Sequence, residues 1–273
     1  MPELPEVETV VRDLRPMLVG RRLSAVRRSP HPLRVRWSPE WEPRLLSRSV
    51  RGIRRRGKWI LIDLEPDHLL VVHLGMTGQL TVVPAGDPLA DHVHLQFDLD
   101  NGEFQLRYRD IRRFGSAVLY ADEQAWTTAR DEDLGPEPFD LKPGPFRESL
   151  SRTERCLKAI LLDQRVVAGV GNIYADESLF MARLDPRGRG CDRTPRQAER
   201  LRKAIVAVLG KAIDSRGSTI RDYVGGSGLK GGYQHELAVY GRTGQPCPRC
   251  GQPVECIRLA GRSTHWCPRC QRS

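Results

Sequence analysis

Residues 92–109 read His-Val-His-Leu-Gln-Phe-Asp-Leu-Asp-Asn-Gly-Glu-Phe-Gln-Leu-Arg-Tyr-Arg, and this stretch decides the fold. Val93, Leu95, Phe97 and Leu99 alternate with His92, His94, Gln96, Asp98 and Asp100. After the turn, Phe104, Leu106 and Tyr108 alternate with Gln105, Arg107 and Arg109. A period of two lines one face of a strand with apolar side chains, and Asn101-Gly102 between two such runs is a hairpin signal. Upstream, Trp59-Ile-Leu-Ile-Asp-Leu64 and Leu69-Leu-Val-Val-His73 are short, apolar and β-rich. Further upstream, Val7, Val10, Val11 and Leu14 recur at helical spacing over residues 5–15, with Leu18 on the same stripe. Pro16 and Gly20 predict that this helix ends near Arg15. The first part of the chain therefore reads as a helix leading into an antiparallel β-sandwich.

Downstream of the hairpin the pattern changes. Residues 131–149 read as a linker by their proline, glycine and acid content. Helices are expected over 153–164 and 173–180, separated by the glycine-broken Ala168-Gly-Val-Gly-Asn172. Thr194-Pro195 offers an N-cap and a proline at the first helical position for a helix running to about Ser215, with Gly217 as its stop. Residues 224–232 hold five glycines without a core pattern, which predicts a mobile loop. The fold class expected is α+β.

The 273 residues carry a formal net charge of +10, and the mean hydropathy is −0.46. No apolar run approaches the roughly 20 residues of a bilayer span, and the acidic, proline-punctuated start does not read as a secretory signal. Charge comes in blocks: residues 1–58 carry a net +9, residues 59–150 a net −10 and residues 151–273 a net +11. Two basic blocks flanking an acidic one suit a polyanion, with nucleic acid as the default candidate. The alternative is a solvated, arginine-rich surface, since only six of the 44 basic residues are lysines.

Four of the seven cysteines form Cys247-x2-Cys250 and Cys267-x2-Cys270, with sixteen residues between the pairs, a spacing suited to a closed four-thiolate zinc site. His265 competes as a ligand by proximity, and Cys256 is expected to pack inside the finger. Arg249, Arg258, Arg262, Arg269 and Arg272 stand against Glu255 alone there. A small basic ribbon of this kind suits phosphates, with a protein-binding ribbon as the alternative. His92 and His94 share a strand face but lack a third ligand.

Removal of Met1 would expose Pro2. A free α-amino group titrates near pH 7.7–8.0, well below lysine, and a secondary amine adds to a carbonyl-like carbon to give an iminium that needs no proton for its charge. Glu3 and Glu6 lie near enough in sequence to exchange protons with it. On these grounds alone Pro2 reads first as a common second residue, and Lys58, beside Arg54, Arg55 and Arg56, as a surface charge.

Met-Pro-Glu-Leu-Pro-Glu-Val-Glu at 1–8 resembles the opening of the formamidopyrimidine-DNA glycosylase family. So do Arg-Arg-Gly-Lys58, His73-Leu-Gly-Met76-Thr-Gly, Asp110-Ile-Arg-Arg-Phe114-Gly, Leu134-Gly-Pro-Glu-Pro, Gly169-Val-Gly-Asn-Ile-Tyr174, Val239-Tyr-Gly-Arg242 and Gly261-Arg262-Ser-Thr. The resemblance implies an N-terminal helix plus antiparallel β-sandwich catalytic domain at 1–134 and a linker at 135–150. A helix–two-turn–helix domain with a lesion-covering loop follows at 151–236, then a four-cysteine zinc finger at 237–273, with DNA crossing the cleft. It implies a bifunctional glycosylase/AP lyase of base-excision repair acting on 8-oxoguanine and formamidopyrimidines. By the same resemblance Pro2 attacks C1′, Glu3 helps open the sugar, Lys58 serves β-elimination and Arg262 δ-elimination. Met76, Arg112 and Phe114 fill the space left by the extruded nucleotide, while His92, Arg112, Arg152, Lys158, Asn172 and Arg262 meet phosphates.

One structural zinc, a damaged double-stranded DNA partner, no membrane partner, a monomer and a cytoplasmic, nucleoid-associated bacterial location complete the expectation. The loop at 217–234, with Tyr233 where the family more usually has Phe, leaves open an endonuclease VIII-like preference for oxidised pyrimidines. A zinc-ribbon DNA-binding protein without catalysis is the third reading.

Overall fold

The computed structural model describes residues 2–130, 132–219 and 225–272. Met1, the linker's expected start at Asp131, residues 220–224 of the 217–234 loop and Ser273 lie outside that range. The chain divides into two compact units, one of residues 1–131 with 215–232, the other of residues 132–214 with 233–273.

In the first unit, α1 (Leu4–Leu18) precedes β1 (Leu23–Arg28), the short α2 (Trp41–Leu45), then β2 (Val50–Arg56), β3 (Trp59–Leu64), β4 (His68–His73) and β5 (Gly78–Pro84). β6 (Val93–Leu99), β7 (Phe104–Asp110), β8 (Ser116–Tyr120) and α3 (Glu123–Arg130) complete it. Two four-stranded antiparallel sheets, β1-β6-β7-β5 and β2-β3-β4-β8, form the expected sandwich. They share one core with α1, in which Val7, Val10 and Leu14 meet Ile60, Val72, Phe97 and Tyr108. α1 runs past the expected end near Arg15, with Pro16 inside it. A proline in the last turn forfeits only one backbone bond, whereas stopping early would expose Leu18, which is fully buried.

The hairpin forms, but through a four-residue loop: Leu99 pairs with Phe104, with Asp100 and Gly102 at positive φ. The polar face of β6 is also covered. Asp98 takes both terminal guanidinium nitrogens of Arg27 at 2.6 Å and the amide of Gln105 at 2.8 Å. Arg107 is buried against the carbonyls of Ala85, Asp87 and Pro88.

The second unit contains α4 (Pro143–Ser151), α5 (Leu157–Leu162), α6 (Asn172–Met181), α7 (Pro195–Asp214) and the hairpin β9 (Glu255–Leu259) with β10 (Arg262–Trp266). The stretch expected as a linker at 135–150 is ordered structure, because Phe146 and Leu150 give α4 an apolar face to bury. The helix expected at 153–164 is shorter, starting at Leu157 after Cys156 caps it. Two turns over 164–169 join α5 to α6. The Gln164 side chain holds them together, donating to the carbonyls of Leu162 and Val170 and accepting from Gly169 N–H at 2.9 Å. α7 begins as expected: Thr194 Oγ1 accepts from Gln197 N–H at 3.2 Å while Gln197 Oε1 accepts from Thr194 N–H at 2.9 Å, a capping box. Among the described residues no helix is long and apolar enough to cross a membrane.

Candidate functional site

The amino end of α1 is built from buried polar groups. Pro2 is buried, and Glu3 is the N-cap with only 2% of its surface exposed. Glu3 N–H donates to Glu6 Oε2 at 2.8 Å, while Glu6 Oε1 accepts the N–H of Ser218 at 2.7 Å. Gly217 is required beside it, for its φ is +74° and a Cβ would lie 2.8 Å from Glu6 Oε1. Both oxygens of Glu6, which the sequence places near enough to exchange protons with Pro2, thus accept backbone N–H groups.

Lys58 is not a surface charge. It sits in the two-residue turn between β2 and β3, 8% exposed, after Gly57 at a φ of +56°. Arg55, itself nearly buried, donates to the Gly57 carbonyl at 3.2 Å and to Glu8 Oε2 at 3.0 Å, so α1 and the Lys58 turn share one brace. Burial alone would raise the Glu8 carboxyl, but Arg12 and Arg55 hold it below its usual value. His73, at the end of β4, faces Lys58. Burial first, then Lys58, Arg34 and Arg130, push it down to about 4, and its Nδ1 accepts Gly75 N–H at 3.1 Å. His73 is therefore neutral near pH 7.

Met76, Arg112 and Phe114 come together in space. Arg112 Nη1 lies 3.1 Å from Met76 Sδ, and its guanidinium stacks 4.6 Å from the centre of the Phe114 ring. Phe114 is 46% exposed, so this is not a core cluster. The loops that carry it are pinned by Asp110, which is fully buried. Its Oδ1 accepts from Thr77 Oγ1 at 2.5 Å and its Oδ2 from Gly115 N–H at 2.8 Å, while Thr77 Oγ1 accepts Arg112 N–H at 3.0 Å. Gly115 admits no side chain there, as a Cβ would overlap the Tyr108 hydroxyl. His92 is exposed at the mouth of β6 with φ +66°. His94 instead turns inward to Ser29 Oγ at 2.9 Å and the Asp110 carbonyl at 3.0 Å, so the two histidines form no pair.

In the second unit Arg152 is exposed and paired with Glu148 one helical turn away. Asn172 opens α6, and its Nδ2 donates to the Ser263 carbonyl at 3.1 Å. Lys158, expected at a phosphate, lies at the start of α5. Its side chain is fully buried in an ion pair with Asp176, which is buried as well, and Nζ also donates to the Asn172 carbonyl at 2.9 Å. A charge so enclosed is retained because it has an opposite charge and hydrogen bonds there. Asp176 Oδ2 also accepts from His265 N–H at 2.9 Å and lies 3.2 Å from His265 Nδ1. The neighbouring Glu177 accepts the N–H groups of Ala238, Val239 and Tyr240, each at 2.9 Å; burial raises its carboxyl and these bonds offset part of the rise. Sequence reading gave neither acid a role. The signal was present: two adjacent acids in the otherwise apolar run Ile-Tyr-Ala-Asp-Glu-Ser-Leu-Phe.

The four cysteines converge. The Sγ atoms of Cys247, Cys250, Cys267 and Cys270 all lie within 4.8 Å of one another, with Cys247–Cys270 at 3.9 Å and Cys250–Cys267 at 3.5 Å. Zinc–sulfur bonds of about 2.3 Å in a tetrahedron set sulfurs about 3.8 Å apart, so the cluster fits one structural Zn2+ with no open position. The thiols cannot all ionise unaided. A backbone bond from Gln252 draws Cys250 down to about 7, but burial raises Cys267 and pushes Cys270 up to about 12. His265, bound to Asp176, is not a ligand, and Cys256 is exposed on β9 rather than packed. Arg262 is exposed where β10 leaves the tight Ala260-Gly261 turn, both of whose residues have positive φ.

A helix-led sandwich with a buried acid at its amino end, a helix–two-turn–helix array and a closed four-thiolate hairpin define a zinc-finger protein of the helix–two-turn–helix class. Comparison with known families is specific along the chain. Residues 1–117 match the formamidopyrimidine-DNA glycosylase N-terminal domain, residues 134–224 its H2TH domain, and residues 244–272 the zinc finger found in FPG and IleRS. Formamidopyrimidine-DNA glycosylase of Geobacillus kaustophilus is 46% identical, covering the full length of both chains, and that of Moorella thermoacetica is 48% identical over 94% of this chain and 95% of the relative. A crystal structure of a Lactococcus lactis FPG mutant with Fapy-dG-containing DNA matches at a TM-score of 0.93 and 36% identity over all of both chains. A complex between the Lactococcus lactis Fpg and DNA containing an abasic site matches at 0.92 and 36%, covering 99% of this chain and all of the other. The chain belongs to the formamidopyrimidine-DNA glycosylase family.

Proposed function

We propose that this protein removes oxidised purines, 8-oxoguanine and formamidopyrimidines, from double-stranded DNA and then cleaves the strand as an AP lyase, in base-excision repair. With Met1 removed, the Pro2 amine attacks C1′ of the extruded nucleotide. The glycosidic bond breaks and its electron pair leaves with the base. Glu3 gives a proton to the sugar's ring oxygen as the ring opens, leaving an iminium between Pro2 and C1′. Loss of a C2′ proton then expels the 3′ phosphate, and a second elimination expels the 5′ phosphate. Lys58 and Arg262 supply positive charge for these departures. Met76, Arg112 and Phe114 occupy the vacated stack, the 217–234 segment covers the extruded base, and His92, Arg112, Arg152, Asn172 and Arg262 meet phosphates.

The observation that carries this reading is the amino end of α1, where Pro2 and the acid Glu3 are buried together and Glu3 is held by Glu6. The protein acts as a cytoplasmic, nucleoid-associated monomer without a membrane partner. The test is base release from duplexes carrying either 8-oxoguanine or an oxidised pyrimidine, with the native chain and with one whose N-terminus is extended to block Pro2. The reading expects purine release by the native chain and a loss of orders of magnitude on blocking. Equal excision by the blocked chain contradicts the nucleophile, and preferential pyrimidine release contradicts the substrate.

A further inference from the structure

α1 carries a further acid, half-buried, on the face that bears Glu6. Asp13 lies seven residues on, two helical turns and about 10 Å along the axis, so both side chains project the same way. Its side chain is 9% exposed. Oδ2 accepts from Arg216 Nη2 at 2.8 Å, from Ser227 Oγ at 2.8 Å and from Ser227 N–H at 3.2 Å. No step of the proposed chemistry uses it.

The glycines around Ser227 explain themselves against this helix. A Cβ on Gly225 would lie 2.4 Å from Asp13 Oδ2, and one on Gly226 would lie 2.7 Å from Leu14 Cγ and 2.9 Å from the Val10 carbonyl. The described part of the loop is thus laid directly on α1. It is tied within itself by Gly228 N–H to the Gly225 carbonyl at 2.9 Å and Gly232 N–H to the Ser215 carbonyl at 2.9 Å. Arg216 also sits at a φ of +61°, a conformation unfavourable for a side chain of its size. The ion pair with Asp13 holds it there, one residue before Gly217 and two before the Ser218–Glu6 bond.

We propose that Asp13 is a positioning residue for base removal: by fastening Arg216 and Ser227 to α1 it keeps the described residues on either side of 220–224 in register with the helix. This rests on the reading that the segment covers the extruded base. Asp13 touches no reacting atom, so its effect is confined to the step in which a base is present. A preformed abasic site has no base to cover.

The experiment compares Asp13→Ala, Asp13→Asn and Ser227→Ala with the native chain in two single-turnover assays. One follows 8-oxoguanine release from a duplex, the other cleavage of a duplex containing a preformed abasic site. Asp13→Ala slows base release about tenfold or more, the scale of one charge-assisted hydrogen bond, and leaves abasic cleavage within about twofold. Asp13→Asn, which keeps an acceptor for Ser227, recovers part of the loss. Ser227→Ala, a mild change that keeps the fold, shows a smaller loss in the same assay only. Asp13→Ala combined with Ser227→Ala is no worse than Asp13→Ala alone.

Equal loss in both assays would mean that Asp13 merely supports α1, and unchanged base release in Asp13→Ala and Ser227→Ala would also overturn the proposal. A native chain that cleaves abasic sites but releases no 8-oxoguanine removes the underlying reading, and the proposal with it.

Discussion

Replacing Lys158 by methionine separates two accounts of that residue. The family resemblance places Lys158 at a phosphate; the structure encloses it with Asp176 and the Asn172 carbonyl. Methionine keeps most of the stem's volume but leaves Asp176 without its cation. Removing one partner of a buried ion pair costs about 3–5 kcal/mol. Asp176 keeps the two His265 contacts, which sets the expected loss near the lower end, about 3 kcal/mol. For a unit of this size that corresponds to a midpoint lowered by about 10 °C, measured by calorimetry on zinc-loaded protein. Affinity for undamaged duplex is then titrated by anisotropy between about 50 and 200 mM salt, well below the midpoint. A lysine that neutralises a phosphate contributes about 0.9 to the slope of log K against log salt; a buried one contributes nothing, so the slope is unchanged. Adding Asp176→Leu to Lys158→Met removes the stranded charge and recovers most of the stability. An unshifted midpoint together with a slope reduced by about one would refute the buried assignment.

Zinc removal by chelation unfolds the 244–272 hairpin, since the four thiolates gain their common site only with the ion. Near-UV circular dichroism and duplex affinity fall together, and retained affinity in a metal-free sample would contradict a DNA-binding role for Arg262. His73 gives a pH signature. Its folded-state value of about 4 lies below the ordinary 6.5, so the unfolded chain binds the extra proton between these limits. Its contribution is complete above pH 6.5 and lost as the pH falls to about 4, about 3 kcal/mol in all. Denaturant melts of His73→Gln lack that portion of the slope; an identical slope would contradict it. Thr194→Ala, which removes half of the α7 capping box, costs about 1 kcal/mol in the same melts.

Periodic signals and thiol spacing made much of this legible in advance. The β6–β7 alternation, the α1 stripe, the Thr194-Pro195 cap and the paired Cys-x2-Cys knuckles each follow from local geometry that one sequence window contains. What escaped were interactions joining distant windows. Glu6 and Asp13 look like solvent-facing acids on an amphipathic helix until Ser218 is set on the first and Arg216 and Ser227 on the second. The five glycines at 224–232 suggested freedom because a sequence does not display the walls that Gly225, Gly226 and Gly231 approach. Lys158 and Asp176 are eighteen residues apart, and nothing local marks them as partners. The roles of Pro2 and Lys58 came from resemblance; the structure adds that both are buried, which a run of arginines beside Lys58 had argued against.

Borohydride reduction of the protein mixed with abasic-site duplex, followed by digestion and mass spectrometry of the peptides, addresses the chemistry most directly. The account predicts a stable protein–DNA adduct whose added mass sits on the proline that begins the mature chain, with Met1 absent. An adduct carried by Lys58 or another lysine, or fully active protein that retains Met1, contradicts it.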